Sequence, residues 1–236
     1  MDIKIIYEDN DILVADKSAG IVVFPEGESL KSGEKTLIDY LIEKNPELKQ
    51  TGEAPRYGIV HRLDKDTSGI LLVAKSTEAL IFLQKEFINR KVEKKYVCLA
   101  EGSLKDEEGE IKTLIGRSPK DPRRQITYPL NYTNTKGKRD AKTYYKVLER
   151  FKDYTLLEVQ IETGRRHQIR CHLSYLQHPI AGDKLYGFKN SKTPEGLTRQ
   201  FLNATYLKIK IPTGEVKEFQ SSLPEELKNI LNKLEK

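Results

Sequence analysis

Between Arg56 and Lys75 the chain reads RYGIVHRLDKDTSGILLVAK. Its middle, His61-Arg62-Leu63-Asp64-Lys65-Asp66-Thr67-Ser68-Gly69, crowds an imidazole, a guanidinium, two carboxylates, an ammonium and two hydroxyls together. The flanking apolar runs, Gly58 to Val60 and Ile70 to Ala74, read as short buried strands. Ser68-Gly69 then supplies a turn. Reactive groups suit a loop pinned at both ends by core strands, because a rigid scaffold positions them. The plainer reading is a solvated charged turn, which this crowding between core segments weakens.

Metal chemistry finds little support. His167 and His172 stand five residues apart, about 140° around a helix, so they do not share a face as an i, i+4 ligand pair would. No CxxC occurs, and the two cysteines, Cys98 and Cys171, each sit in an apolar-patterned segment. They read as small buried hydrophobes in a reducing cytoplasm, not as a disulfide framework. His61 reads as a hydrogen-bonded loop residue.

With 37% hydrophobic and 32% charged residues, the 236-residue chain reads as a rather polar soluble protein. Its apolar runs fall far short of the roughly 20 residues a membrane helix needs. The first residues show no secretory pattern. The formal net charge is +6. From Lys112 to Lys146 there are ten Lys or Arg against two Asp, so this segment holds all of the excess. Such a concentration points to a polyanionic partner, with a solvated basic loop as the equal alternative on charge alone.

The elements that must position these groups follow from pattern. Residues 3–25 read as two or three short strands, broken at Asp9-Asn10-Asp11 and Ser18-Ala19-Gly20. Residues 36–45 place Leu37, Tyr40, Leu41 and the stem of Lys44 on one helical face, stopped by Pro46. Ser76 or Thr77 opens a helix with Leu80, Leu83, Phe87 and Ile88 on its apolar face, and residues 95–100 form the next strand. Residues 111–142, with three prolines and Gly137, read mostly as loop and short strands. Residues 142–151 and 154–162 read as a hairpin, 167–176 as a helix, and 180–188 as a glycine-rich loop. Strands at 204–211 and 216–220 and a helix opened by Pro224 complete the chain. No repeat or linker divides it. The fold class is α+β: a mixed, mainly antiparallel sheet with a few packed helices, residues 1–236 forming one domain.

At this point the residues carry a resemblance. His61 to Gly69 is similar to the signature of the RluA family of RNA pseudouridine synthases. Asp16-Lys17 with Gly20, then Val22-Val23-Phe24-Pro25, resembles that family's first motif, and Lys95-Tyr96 its tyrosine-bearing strand. Residues 158–183, EVQIETGRRHQIRCHLSYLQHPIAGD, with Tyr186-Gly187, resemble its long later motif. Ser18, Phe24, Arg166 and Asn203 depart from the usual residues, which bears on substrate choice more than on activity. The separate N-terminal RNA-binding domain of many relatives is expected to be missing.

The resemblance implies isomerisation of uridine in rRNA or tRNA to pseudouridine, with no redox cofactor, metal or nucleotide. The glycosidic C–N bond breaks, the base turns, and a C–C bond forms to the same sugar. Asp64 matches the catalytic aspartate, either as nucleophile on the anomeric carbon or as base. Arg165 matches the arginine expected to pair with it, an attraction of about 4 kcal/mol at ~4 Å before desolvation. Tyr96 matches the tyrosine expected to stack on the uracil, worth roughly 1–3 kcal/mol. Taken alone, Asp64 would read as a turn carboxylate and Tyr96 as core; Asp66, Thr67 and Ser68 are assigned the turn-holding role.

Arg62 is expected to hold a flipped nucleotide. Arg166 and Arg170, at a helix start with His61 not far from the aspartate, complete the expected substrate contacts, against solvated helix surface as the plain alternative. Arg123, Arg124, Lys138 and Arg139 are expected to track the RNA backbone. The competing function is a non-catalytic RNA-binding or assembly factor on the same fold. A metal-dependent deaminase or nuclease lacks a ligand set. A cytoplasmic monomer acting on RNA, without membrane association, is the expectation.

Overall fold

Apolar residues at 12–15 and 70–74 become neighbouring central strands of one strand array. The structure, a computed structural model, describes residues 3–26 and 33–236 and divides into two compact units. The first runs to Glu93 and includes Ala204–Ser222; the second comprises Lys94–Asn203 and Leu223–Lys236.

In the first unit, β1 (Lys4–Glu8) pairs antiparallel with β2 (Ile12–Lys17), and β2 with β3 (Ser68–Ala74). Strand β9 (Leu202–Lys210), which lies mostly in this unit, neighbours β3 and pairs antiparallel with β10 (Val216–Gln220). All seven residues of β3 are buried. Among the described residues, two α-helices belong here, α1 (Leu37–Lys44) and α2 (Thr77–Ile88). The Ser76 side chain caps α2 by accepting from Ala79 N at 3.1 Å, as Ser at an N-cap does. Ala79, Leu80 and Leu83 then pack on Ile12, Val14, Ile70, Leu72, Leu207, Ile209 and Phe219. Each leucine so buried contributes about 1.5–3 kcal/mol.

The second unit is built on β4 (Glu93–Glu101), β5 (Glu108–Arg117), β6 (Gln125–Tyr128), β7 (Lys138–Arg150) and β8 (Tyr154–Ile161). Their spatial order is β4-β8-β7-β5-β6, antiparallel throughout. Helix α3 (Gln168–Tyr175) buries six of its eight residues. Helix α4 (Glu225–Asn232) follows Pro224 and buries Leu227 and Ile230.

Several expectations are corrected. Residues 58–60 form no strand; only Ile59 bridges to Val73. Ile59 N instead bonds Arg56 O, closing a turn. Ser68-Gly69 opens β3, and the turn lies earlier, with Thr67 N donating to Asp64 O at 3.1 Å. Gly69 is required there: its φ is +109°, and a Cβ would stand 2.1 Å from the Ala204 carbonyl oxygen. Helix α1 buries Leu37, Ile38, Leu41 and Ile42, with Lys44 exposed, so its face is rotated from the one expected. Residues 118–137 are loop and one short strand, as expected. The ends of the basic segment, however, belong to the long strands β5 and β7, because Ile111, Thr113 and Ile115 alternate inward along β5 while charged residues alternate outward.

Candidate active-site segments

In the first unit the Asp64 turn is held through its main chain. Lys17, at the end of β2 and 1% exposed, donates from Nζ to the carbonyls of Ser18 (2.9 Å), Ile21 (2.9 Å) and Lys65 (3.0 Å). Gly20 N also donates to Lys65 O, at 2.9 Å. The residue after Asp64 is thereby tied to the loop following β2 by two donors. Asp64 itself is half-buried, with Leu63, Thr67 and Ser68 buried around it.

His61 accepts from Leu72 N through Nε2 at 3.0 Å and stacks on Phe87 with ring centroids 5.1 Å apart. It holds β3, as the hydrogen-bonded loop residue expected, and stays half-exposed. Arg62 pairs through both terminal nitrogens with the carboxylate of Glu26. Its guanidinium lies over the Phe24 ring at 5.5 Å, beside that of Arg56 at 4.8 Å. The aromatic at position 24 is therefore a floor for two arginines.

In the second unit Tyr96 lies on β4, 7% exposed, in register with Val159. Arg165 donates from Nε to Asp140 O at 2.9 Å and from Nη2 to Asp140 Oδ1 at 3.1 Å. Burial, with the Arg165 guanidinium nearby, brings the Lys94 ammonium down to about 8.

The Thr163–Arg165 loop is fixed by Gln168, 3% exposed, whose amide makes all four of its hydrogen bonds. Oε1 accepts from Thr163 Oγ1 (2.8 Å) and Arg165 N (3.0 Å); Nε2 donates to Lys142 O (3.0 Å) and Thr143 Oγ1 (2.9 Å). Behind it, buried His172 bonds Thr143 through Nδ1 (2.8 Å) and Thr113 through Nε2 (3.0 Å). Burial pushes this imidazole down to about 4.

Arg170 is not a solvated helix residue. It is 7% exposed and forms a bidentate pair with Asp183, Nε to Oδ2 at 2.6 Å and Nη2 to Oδ1 at 2.9 Å. Asp183 also accepts from the main-chain N–H groups of Leu185 and Tyr186, so the pair shapes the glycine-rich loop. The guanidinium groups of Arg170 and Arg124 both lie over the Tyr186 ring, at 5.1 and 5.2 Å. Arg124 is half-buried on that ring, whereas Arg123, Arg139 and Arg166 are exposed. Arg123 is engaged by Asp121, whose carboxyl it holds down at about 2.

The sequence assigns no role to Lys17, Glu26, Asp140 or Gln168. Lys17 and Gln168 lie inside motifs already quoted. Their signal was a polar residue of no evident chemistry between residues that have some.

The mainly antiparallel α+β fold is that of isomerases that make pseudouridine in RNA, as comparison with known proteins shows. A family model described as RNA pseudouridylate synthase matches residues 11–175. The Bacillus subtilis RNA pseudouridine synthase YlyB is 41% identical over 237 residues, covering 100% of this chain and 74% of that protein. Ribosomal large subunit pseudouridine synthase D of Yersinia pestis is 35% identical over 244 residues, 98% of this chain and 70% of that one. The solved structure of human RNA pseudouridylate synthase domain containing 1 matches with a TM-score of 0.76 at 27% identity, covering 94% of this chain and 84% of that one. The chain belongs to the RNA pseudouridylate synthase family, of the RluA type, and is an enzyme of that class.

Proposed function

We propose that Asp64 carries the isomerisation, that Tyr96 stacks on the reacting uracil, and that Arg165 keeps the aspartate ionised. The observation that carries this reading is the clamp on the Asp64 turn. Two donors, Nζ of the buried Lys17 and the main-chain N–H of Gly20, converge on the Lys65 carbonyl next to a half-buried carboxylate. A purely solvated turn needs no such anchoring, and a carboxylate that opens the reaction on the sugar must be held in one place. No atom is gained or lost in the reaction. The C1′–N1 bond electrons leave with uracil, and C5 of the turned base bonds C1′ of the same sugar. The C5 hydrogen departs to solvent as a proton and N1 takes up a proton, so the composition is unchanged.

We further propose ribosomal large-subunit RNA as substrate, on the support of relatives named ribosomal large subunit pseudouridine synthase D. In this reading Arg62 handles the flipped nucleotide, and Arg123, Arg139, Lys138 and Arg166 meet the RNA backbone. Residues 1–236 act as one catalytic domain, as a monomer in the cytoplasm. Among the described residues no helix is long and apolar enough to cross a membrane.

Release of tritium from RNA labelled at uridine C5 tests the chemistry. Wild type should release it and Asp64→Asn should not; turnover that survives the substitution removes Asp64 from the reaction. Mapping pseudouridines in cells with and without the gene assigns the substrate. Sites lost from tRNA, with rRNA unchanged, would overturn the ribosomal assignment.

A further inference from the structure

The strip from Arg117 to Arg139 holds seven Lys or Arg and one acidic residue, Asp121, already paired with Arg123. Within it two tyrosines come together. Tyr128 ends β6 and Tyr132 follows a turn in which Tyr132 N bonds Pro129 O at 3.0 Å. Their ring centroids are 4.8 Å apart, tilted by 46°. The Lys138 ammonium lies over both, 4.7 Å from the first and 5.1 Å from the second. Tyr132 is 39% exposed and the adjoining Leu130 57%.

The floor beneath is Gly116 of β5. A Cβ there would stand 2.9 Å from Lys138 Cγ and 3.4 Å from Tyr128 Cε2, so any side chain would lift the ring and the lysine stem. The Lys138 ammonium donates to main-chain carbonyls of exposed residues, Asn134 O at 2.6 Å and Lys136 O at 3.4 Å. It can swing from the rings to a phosphate without leaving a buried group unpaired.

Resting on the RNA-modifying reading above, we propose that Tyr128 and Tyr132 form a stacking platform for unpaired bases of the substrate RNA, with Lys138 engaging the adjacent phosphate. Every base offers a π-face, so such a platform selects unpaired over paired RNA and not one sequence over another. Base pairing would hide those faces in a duplex, and the charged strip alone cannot make that distinction, because it meets phosphates in either form.

The test measures binding of poly(U) and of a poly(A)·poly(U) duplex across a salt series. Tyr132→Ala, at an exposed ring, should weaken poly(U) binding about tenfold and the Tyr128→Ala/Tyr132→Ala pair more, with the salt slope unchanged. The corresponding Phe pair should bind as wild type does. Lys138→Gln should flatten the slope by about 0.7. Duplex binding should be unmoved by the tyrosine changes. Equal poly(U) binding by Tyr132→Ala and wild type, with its melting temperature retained, overturns the platform; so does an equal loss on the duplex. Tritium release by wild type separates the two readings. An active wild type with an indifferent Tyr132→Ala fails the platform alone, and a wild type that binds poly(U) but never isomerises fails the enzymatic reading alone.

Discussion

The Asp64 turn and the Arg165 loop are both held by one buried polar side chain, but by side chains of opposite kind. Lys17 gives three donors to three carbonyls and accepts nothing. Gln168 gives two hydrogen bonds and accepts two. The ammonium can only donate, and the three carbonyls it gathers are main-chain atoms, so it fixes a path of backbone. The amide reads both a carbonyl and an N–H, so it fixes orientation as well as position, which a guanidinium needs more than a turn does. Removing the first leaves carbonyls without their charged donor, and hydrogen bonds to charged groups are the stronger ones.

Lys17→Met should therefore produce the larger loss. Three charge-assisted bonds disappear from a nearly fully buried position, and a cost of about 3 kcal/mol follows. Denaturant melts measure the total, and hydrogen exchange locates it: protection should fall across 64–69 and stay unchanged across 163–168. A uniform rise in exchange over both segments would break the comparison, because the clamp would then be holding the whole chain and not one turn.

Gln168→Leu should cost less, about 2 kcal/mol, since neutral hydrogen bonds contribute about 1 kcal/mol each and the leucine retains part of the packing. Exchange should rise at 163–167 with 64–69 protected. Turnover should fall mainly in kcat, because the Arg165 main-chain N–H loses its acceptor while the basic strip stays intact. A change confined to KM would assign Gln168 to holding the RNA surface instead.

What the sequence discloses of these two regions differs as well. Strands β2 and β3 and helix α2 are legible because their apolar spacing and the Ser76 cap are local signals. Residues 58–60 mislead, since three apolar residues look alike in a strand and in a turn that donates to Arg56 O. Arg170 misleads because a basic residue in a helix reads as surface, and its buried partner Asp183 lies thirteen residues on. Asp64, Tyr96 and Arg165 are named by resemblance, as their types and order carry it. The clamps are illegible for a physical reason: Lys17 gathers main-chain carbonyls, and Gln168 divides its bonds between main-chain atoms and threonine hydroxyls, partners that leave no mark of pairing in a sequence. A buried lysine is also the least expected of residues.

Acid should separate the two regions most finely. Behind Gln168 the hydrogen bonds continue through Thr143 to His172, an imidazole held near pKa 4 by burial, whereas the partners of Lys17 described above are all carbonyls. An imidazole in the unfolded chain takes a proton at about 6.5, and the folded one does not until about 4. Between those values the unfolded state binds more protons, so stability is full above about pH 6.5 and falls as the pH drops toward 4. The contribution amounts to about 3 kcal/mol at most across that window. His172→Gln, whose amide can still meet both threonines but does not titrate, should flatten the difference in stability between pH 7 and 4.5. Hydrogen exchange at those two pH values, corrected for the intrinsic rates, should show the wild-type loss across 163–175 and not across 64–69. An equal acid response in wild type and His172→Gln would mean that carboxylates, and not this imidazole, set the acid limit, and that the two clamps do not differ in what protons can reach.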